Sequence, residues 1–208
     1  RLCIANMAVE AGAKNGIIKF DNITKEYLEG LNLNIDENEL EYLKNDSEGT
    51  FCEEVTIDVE KLEPLCSCPH EVDNVDEIKN VAGVKIDQAY IGSCTGGRYH
   101  DLKVAADLVK GRKIAEGIRL LISPASKEVW DRCAKEGILQ ILSDAGATVL
   151  ASSCGACLGI HSGALGEGEV CISTTNRNFI GRKRKKKSSV YLASPLSVIA
   201  SAIKGEIT

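Results

Sequence analysis

Two cysteines lie three residues apart in a loop of small residues, Cys154-Gly-Ala-Cys157. Glycine lets a backbone turn closely around a bound group, so this loop could present both thiolates to a metal. A third cysteine, Cys94, lies 60 residues earlier in a similar loop. A structural zinc site needs four protein ligands, whereas a [4Fe–4S] cluster held by three cysteines keeps one iron open to water or substrate. If the three cysteines converge, they could therefore hold a catalytic Lewis acid.

A zinc site is an alternative interpretation of the same thiols. Cys66-Ser-Cys68-Pro-His70 could join Cys154 and Cys157 in a zinc ligand set. A redox-active Cys-x-x-Cys pair is less favoured, because such a pair begins a helix directly after a strand. The other cysteines are expected to be buried thiols; they are Cys3, Cys52, Cys133 and Cys171.

A polar loop downstream could bind an anion. It contains Asn176, Arg177 and Arg182 after an apolar stretch. Arginine binds a carboxylate through two parallel hydrogen bonds, so two arginines beside the cysteine loops would suit a substrate with two or three carboxylates.

Charge is unevenly distributed along the chain of 208 residues, whose net charge is −5. Residues 1–80 contain 19 acidic and 7 basic side chains, and residues 81–208 contain 11 acidic and 18 basic ones. Part of the basic excess is the run Arg182–Lys187, and for Lys183–Lys187 a solvated loop is the favoured interpretation. A nucleic-acid patch is disfavoured because no aromatic side chain interrupts the run, and we predict no nucleic-acid partner.

Alternating strands and helices from Val81 onward must position these loops. Such alternation predicts an α/β domain with a largely parallel sheet and flanking helices. Ligands of such sheets bind beyond the carboxyl ends of the strands, which is where the three cysteines fall. Strands are predicted at residues 88–92, 118–122, 147–151, 170–173 and 190–193.

The first 80 residues are predicted to be an incomplete segment of a preceding α/β domain plus a linker, and residues 81–208 to be a second domain. The segment is expected to begin with a helix that ends at Gly16 and places Asn6 and Glu10 on one face. Because the chain opens at Arg1 without Met, we expect it to be part of a longer polypeptide. Further elements are predicted in this segment as a strand at 17–20, a helix at 37–43 and a strand at 54–59.

The sequence also bears on location. No apolar run approaches the roughly 20 residues of a membrane-spanning helix, and the first ten residues do not resemble a signal peptide. Nine cysteines, an odd number, favour a reducing compartment over a disulfide framework. A cytoplasmic protein without a membrane partner is therefore expected.

Three ordered motifs resemble the aconitase family: Gly92-Ser-Cys-Thr95, Cys154-Gly-Ala-Cys-Leu-Gly159 and Cys171–Arg182. The resemblance runs over most of the chain and is nearest to the large subunits of isopropylmalate dehydratases and homoaconitases. It implies an aconitase-type cluster-bearing domain within an iron–sulfur hydro-lyase. Such an enzyme isomerises a 2-hydroxy di- or tricarboxylate by dehydration and rehydration, with 2-isopropylmalate as the first expected substrate and homoaconitate or another small diacid as the alternative.

The resemblance also implies roles for individual residues. The implied ligands of a [4Fe–4S] cluster are Cys94, Cys154 and Cys157. The implied substrate contacts are Asn176, Arg177 and Arg182, and the implied catalytic residues near the open iron are Asn6 and Glu10. A separate small subunit, or swivelling domain, would supply the serine base, so the isolated chain would be inactive.

The chain departs from the family pattern at three places. Gly96 replaces the usual Asn of the Ser-Cys-Thr-Asn motif, and Ala156 replaces a common Pro. The basic run beginning Lys183-Arg184 replaces a segment that usually begins Met-Gly. A non-catalytic iron–sulfur or zinc module is the alternative function from another class.

Overall fold

The computed structural model describes residues 1–33, 36 and 48–208. Its contacts divide the chain into two units, residues 1–61 and 62–208. The predicted helix at 37–43 lies outside the described residues.

The first unit contains two helices, α1 (Leu2–Met7) and α2 (Asn22–Gly30), and a 3-10 turn at Val59–Lys61. Asp21 caps α2, because its carboxylate accepts a hydrogen bond from the Thr24 N–H at 2.9 Å. The prediction that the first helix extends to Gly16 is wrong, since turns follow Met7.

The strands predicted at 17–20 and 54–59 are also absent from the described residues. Ile17 and Val55 are largely exposed, at 83% and 72%. A strand needs a partner for its backbone hydrogen bonds and a core for its apolar face, and these segments have neither in the described part of the chain.

A seven-stranded mixed sheet forms the centre of the second unit, in the order β2-β1-β7-β6-β3-β4-β5. Strands β3 to β7 are mutually parallel, whereas β1 is antiparallel to both β2 and β7. The strands are β1 (Leu65–Ser67), β2 (Val75–Glu77), β3 (Gln88–Ile91), β4 (Arg119–Ile122), β5 (Thr148–Val149), β6 (Val170–Ser173) and β7 (Ser189–Ala193). The predicted α/β class and largely parallel sheet are confirmed.

Helices flank this sheet and cover its central strands. The helices are α3 (Ser93–Gly96), α4 (Tyr99–Val109), α5 (Lys127–Lys135), α6 (Ile138–Asp144), α7 (Gly155–Leu158) and α8 (Pro195–Lys204), with a 3-10 turn at Ile78–Asn80. Ser126 and Ser194 cap α5 and α8 through hydrogen bonds from the third backbone N–H beyond them, both at 3.2 Å.

The central strands and two helices share one apolar core. All four residues of β3 are buried, as expected for a parallel strand covered on both faces. Leu102, Ala105 and Val109 of α4 are fully buried in the same core as Val198 and Ala202 of α8. Strands β1 and β2 also belong to this sheet, which therefore includes residues that precede the predicted domain start at residue 81. In the described residues, no helix combines the length and apolar character that crossing a bilayer requires.

The prediction that Lys183–Lys187 form a solvated loop is wrong for Lys183. Lys183 is fully buried, whereas residues 184–187 are exposed. Lys187 pairs with Glu167 at 2.6 Å. Arg184 has φ of +84°, in the left-handed region that favours glycine.

We expect the Arg184→Gly variant to be more stable than the parent by about 1 kcal/mol, because glycine removes the steric cost of a left-handed side-chain-bearing residue. Urea unfolding followed by the fluorescence of Trp130, the only tryptophan, measures this free energy in the sheet-containing unit. Lys185→Gly is the matched control and should bring no gain. Equal stability of the parent and Arg184→Gly would show that the backbone at Arg184 has no steric cost.

Candidate active site

The three candidate thiols lie in loops at the carboxyl ends of parallel strands. Cys94 lies in α3, directly after β3, and Cys154 and Cys157 lie at α7, which follows β5. The polar loop with Asn176 follows β6, the neighbour of β3. All three cysteines are free; Cys94 and Cys154 are exposed, and Cys157 is buried.

Thr174 holds the Cys94 loop against the end of β6. The Gly92 N–H donates to Thr174 Oγ1 at 3.0 Å, and the Thr174 hydroxyl lies 2.8 Å from the Gly96 carbonyl oxygen. A Cβ atom at Gly96 would lie 2.1 Å from the Thr174 carbonyl oxygen. The departure at Gly96 is therefore part of a close backbone approach that leaves no room for a side chain.

Asn176 is tied to the same loop. The Thr95 hydroxyl donates to Asn176 Oδ1 at 2.9 Å, so the candidate substrate residue and the Cys94 loop share a fixed geometry. Ser93, immediately before Cys94, has φ of +82° without being glycine. Strained backbone of this kind persists where the surroundings enforce it, which is common at functional sites.

The Cys154–Cys157 loop is packed as tightly. A Cβ at Gly155 would lie 2.0 Å from the His161 ring, and His161 Nε2 lies 3.3 Å from the Ser153 hydroxyl. Gly159, with φ of +66°, ends the short helix α7. Ala156, the second departure, is fully buried, and nothing in the structure explains its preference over proline.

The polar loop that contains Asn176, Arg177 and Arg182 is called the anion loop. Arg182 joins this loop to the thiols. Its Nη2 donates to Cys157 Sγ at 3.3 Å, and its guanidinium carbon lies 5.2 Å from the centre of the Phe179 ring. Arg182 Nε is buried without a hydrogen-bond partner in the described residues. An uncompensated buried donor is unfavourable, so this atom is suited to an incoming acceptor such as a carboxylate.

Other residues of the anion loop differ in role. Arg177 is half-buried and Asn176 is 7% exposed, and their role as substrate contacts stays a prediction. Asn178 faces elsewhere, since its Nδ2 donates to the Cys68 carbonyl oxygen at 2.8 Å and links the loop to the end of β1.

Sequence reasoning missed Tyr90, which lies among the three loops. Tyr90 is fully buried, and its ring lies so close to Gly92 that a Cβ there would be 2.4 Å from the hydroxyl. Burial, with a smaller contribution from the negative charge of the Cys157 and Cys154 thiolates, raises the pKa of Tyr90 to about 12. Its hydroxyl makes no hydrogen bond of normal geometry within the described residues. In the sequence, only the position of Tyr90 just before the Cys94 loop could have indicated that it lies at the site.

Lys183 was missed because a run of basic residues is typical of a solvated surface. Its ammonium lies 3.4 Å from Cys171 Sγ and 4.7 Å from the centre of the Tyr90 ring. The third missed feature is Thr174, whose contacts join two of the loops.

Asn6 and Glu10 belong to the first unit and do not share a helical face. Asn6 lies in α1, but Glu10 lies in the turn that follows, where its N–H donates to the Met7 carbonyl oxygen at 3.0 Å. Their implied catalytic role stays a prediction.

The zinc interpretation is not supported. No group of three or more His, Cys, Asp or Glu side chains in the described residues is arranged to hold a single metal ion. Burial, followed by the nearby Cys68 and Asp76, raises the pKa of Cys66 to about 12 in the metal-free chain. Cys133 and Cys171 are buried as expected, whereas the prediction is wrong for Cys3 and Cys52, which are exposed.

A cluster places different demands on the donors, because each thiolate binds a different iron atom. The chemistry of the site fits such a group. Cys94, Cys154 and Cys157 supply three free thiols, and Arg182 Nε is a buried donor that has no acceptor in the described residues. A cluster sulfide or a substrate oxygen is an acceptor that could satisfy it.

Comparison with known proteins shows the family of the chain. The sequence model of the aconitase family (aconitate hydratase) matches residues 1–84 and 74–205. The chain is 47% identical to 3-isopropylmalate dehydratase large subunit 2 of Archaeoglobus fulgidus, over 100% of this chain and 49% of that protein. It is 45% identical to the methanogen homoaconitase large subunit of Methanocaldococcus jannaschii, over 100% of this chain and 51% of that protein. The chain thus spans about half the length of the curated relatives it matches.

Proposed function

This chain belongs to the aconitase family, and from that premise we propose that it is the cluster-bearing part of the large subunit of an iron–sulfur hydro-lyase. The proposed reaction interconverts 2-isopropylmalate and 3-isopropylmalate by loss and return of water. The observation that carries the proposal is that one polar loop contacts both cysteine loops, through Asn176 with Thr95 and through Arg182 with Cys157.

We propose that Cys94, Cys154 and Cys157 hold a [4Fe–4S] cluster. When bound, such a cluster supplies an open iron that acts as a Lewis acid toward a substrate hydroxyl. The chain's own residues keep this site in place: Thr174 fixes the Cys94 loop and Arg182 contacts Cys157.

The anion loop would orient the substrate. Arg177 and Arg182 would bind its carboxylates, and Asn176, held by the Thr95 hydroxyl, would contribute an amide donor. Fixing the carboxylates restricts the substrate to one orientation before the reaction, which lowers the entropic part of the barrier. Asn6 and Glu10 are proposed to act near the open iron.

The substrate side chain distinguishes the two candidate activities. Both isopropylmalate dehydratase and homoaconitase large subunits occur among the relatives, with 2-isopropylmalate as the first proposed substrate.

We propose a separate small subunit as partner, since the relatives are named large subunits, and we propose that it supplies the serine base. A cytoplasmic location is proposed from the free cysteines of the described residues. The buried Lys183 and paired Lys187 support the proposal that nucleic acid is not a partner.

The isolated 208-residue chain is expected to show no isomerase turnover, because a general acid or base typically contributes roughly 10²–10⁴-fold to the rate. The complete large subunit with its small subunit should convert 2-isopropylmalate, measured by the absorbance of the unsaturated intermediate acid. Homoaconitate is the comparison substrate, and a preference for it would favour the alternative. Turnover by this chain alone would show that the catalytic groups are assigned to the wrong polypeptides.

A further inference from the structure

A fully buried lysine lies beneath the candidate cluster site. The Lys183 side chain has no solvent exposure, and its Nζ approaches Cys171 Sγ at 3.4 Å. Its backbone is fixed as well: the Lys183 carbonyl oxygen accepts a hydrogen bond from the Leu165 N–H at 3.1 Å. A Cβ at Gly159 would lie 3.1 Å from Lys183 Cα, so the chain of the cysteine loop packs directly on this residue.

The ammonium of Lys183 has no carboxylate partner among the residues that the structure describes. None of the ion pairs between described residues includes it, and its contacts are a thiol and an aromatic ring. Removing a charge from water without pairing it is strongly unfavourable, and a thiol is a weak acceptor. A protonated lysine in this environment therefore requires a source of negative charge nearby.

Tyr90 connects the lysine to such a source. The Lys183 ammonium lies 4.7 Å from the centre of the Tyr90 ring, within the range of a cation–π contact. Tyr90 and Cys157 belong to one buried cluster of side chains. The aromatic ring thus links the positive charge to a ligand thiol within a buried region, where charge interactions are weakly screened.

We propose that Lys183 is the buried counter-charge of the cluster site. Its ammonium, acting through the Tyr90 ring, stabilises the negative charge that the ligand thiolates bring, and it holds the turn bearing Arg182 against the site. Lys183 is a positioning residue, since it does not touch the substrate or the reacting atoms. The inference rests on the proposed function, because the charge that it compensates is that of the bound cluster.

The test compares the parent with Lys183→Met and with the control Lys185→Met, which makes the same change at an exposed residue of the same run. Methionine is unbranched and uncharged, so it can fill the buried space without the charge. Two quantities are measured on the 208-residue chain: the urea midpoint of the cluster-free form by Trp130 fluorescence, and the rate at which the reconstituted cluster loses its visible absorbance in excess bipyridyl.

The variant should be more stable than the parent without the cluster and should hold the cluster less durably. Lys183→Met should raise the urea midpoint of the cluster-free chain and lose its cluster about tenfold faster, the size typical of groups that support metal ligands. Its cluster should also have a lower reduction potential, and Lys185→Met should match the parent throughout. A Lys183→Met cluster as durable as the parental one, or a lower urea midpoint, would overturn the inference. Failure of the parent to assemble any cluster would instead overturn the proposed function.

Discussion

Replacing Cys94, Cys154 or Cys157 with serine is expected to abolish assembly of a [4Fe–4S] cluster on this chain. Three thiolates are the fewest that leave only one iron without a protein ligand, so each loss exposes a second iron to solvent. The measurement is the iron and sulfide content, with the visible absorbance, of each variant after anaerobic reconstitution. All three variants should fall to the level of a chain that was never reconstituted.

Cys133→Ser is the control for this series. Cys133 is buried in α5 and belongs to the apolar core, where burial raises its pKa to about 11. The variant should lose some stability but keep its cluster, because the thiol packs in the apolar core and belongs to neither of the loops that follow β3 and β5. A full cluster in Cys154→Ser would refute the assignment of ligands.

The second large effect concerns the arginines, tested in the complete enzyme. Lysine at Arg177 or Arg182 keeps the charge but loses the planar pair of donors that matches a carboxylate. A charge-assisted hydrogen bond is worth about 1.5–3 kcal/mol, so catalytic efficiency should fall by about ten- to a hundred-fold. The cluster spectrum should stay unchanged in Arg177→Lys and shift in Arg182→Lys, since Arg182 Nη2 contacts Cys157 Sγ.

Lys185→Ala and Lys186→Ala are the matched controls, because both lysines are exposed in the same basic run. They should retain parental activity. If these changes reduce catalytic efficiency as much as Arg177→Lys does, the basic run is the anion site and the assignment of the arginines is wrong.

The parallel sheet could be predicted from sequence because its signals are local. Val170–Ser173 and Gln88–Ile91 are short apolar strands that lead into loops of small residues. Ser126 and Ser194 mark helix starts through a side chain that caps the backbone within three residues. The position of the cysteine loops follows from these elements, since the ends of parallel strands meet at one edge.

Other features depend on contacts between distant segments. β1 contains three residues, too few for a hydrophobic period, and it forms because it pairs with β7. Ile17 and Val55 lie in apolar stretches that resemble strands, but both are exposed. Their local β-propensity is insufficient without a neighbouring strand.

The candidate site also combines features that have a local signal in the sequence with features that depend on contacts between distant segments. The spacing of Cys154 and Cys157 is a local signal, but the burial of Lys183 is not, since its charged neighbours predict solvent exposure. The Lys183 side chain is buried because Tyr90 and Cys171, distant in sequence, form the space around it. The close approach of Gly96 to Thr174 likewise joins two loops 78 residues apart.

The most direct test of the central claim is the iron and sulfide content of the reconstituted parent before and after mild oxidation. A cluster on Cys94, Cys154 and Cys157 should give about four irons and about four sulfides per chain, and should then lose about one iron while keeping its sulfide. Electron paramagnetic resonance should detect the three-iron product. Stoichiometric zinc without uptake of iron would contradict the account.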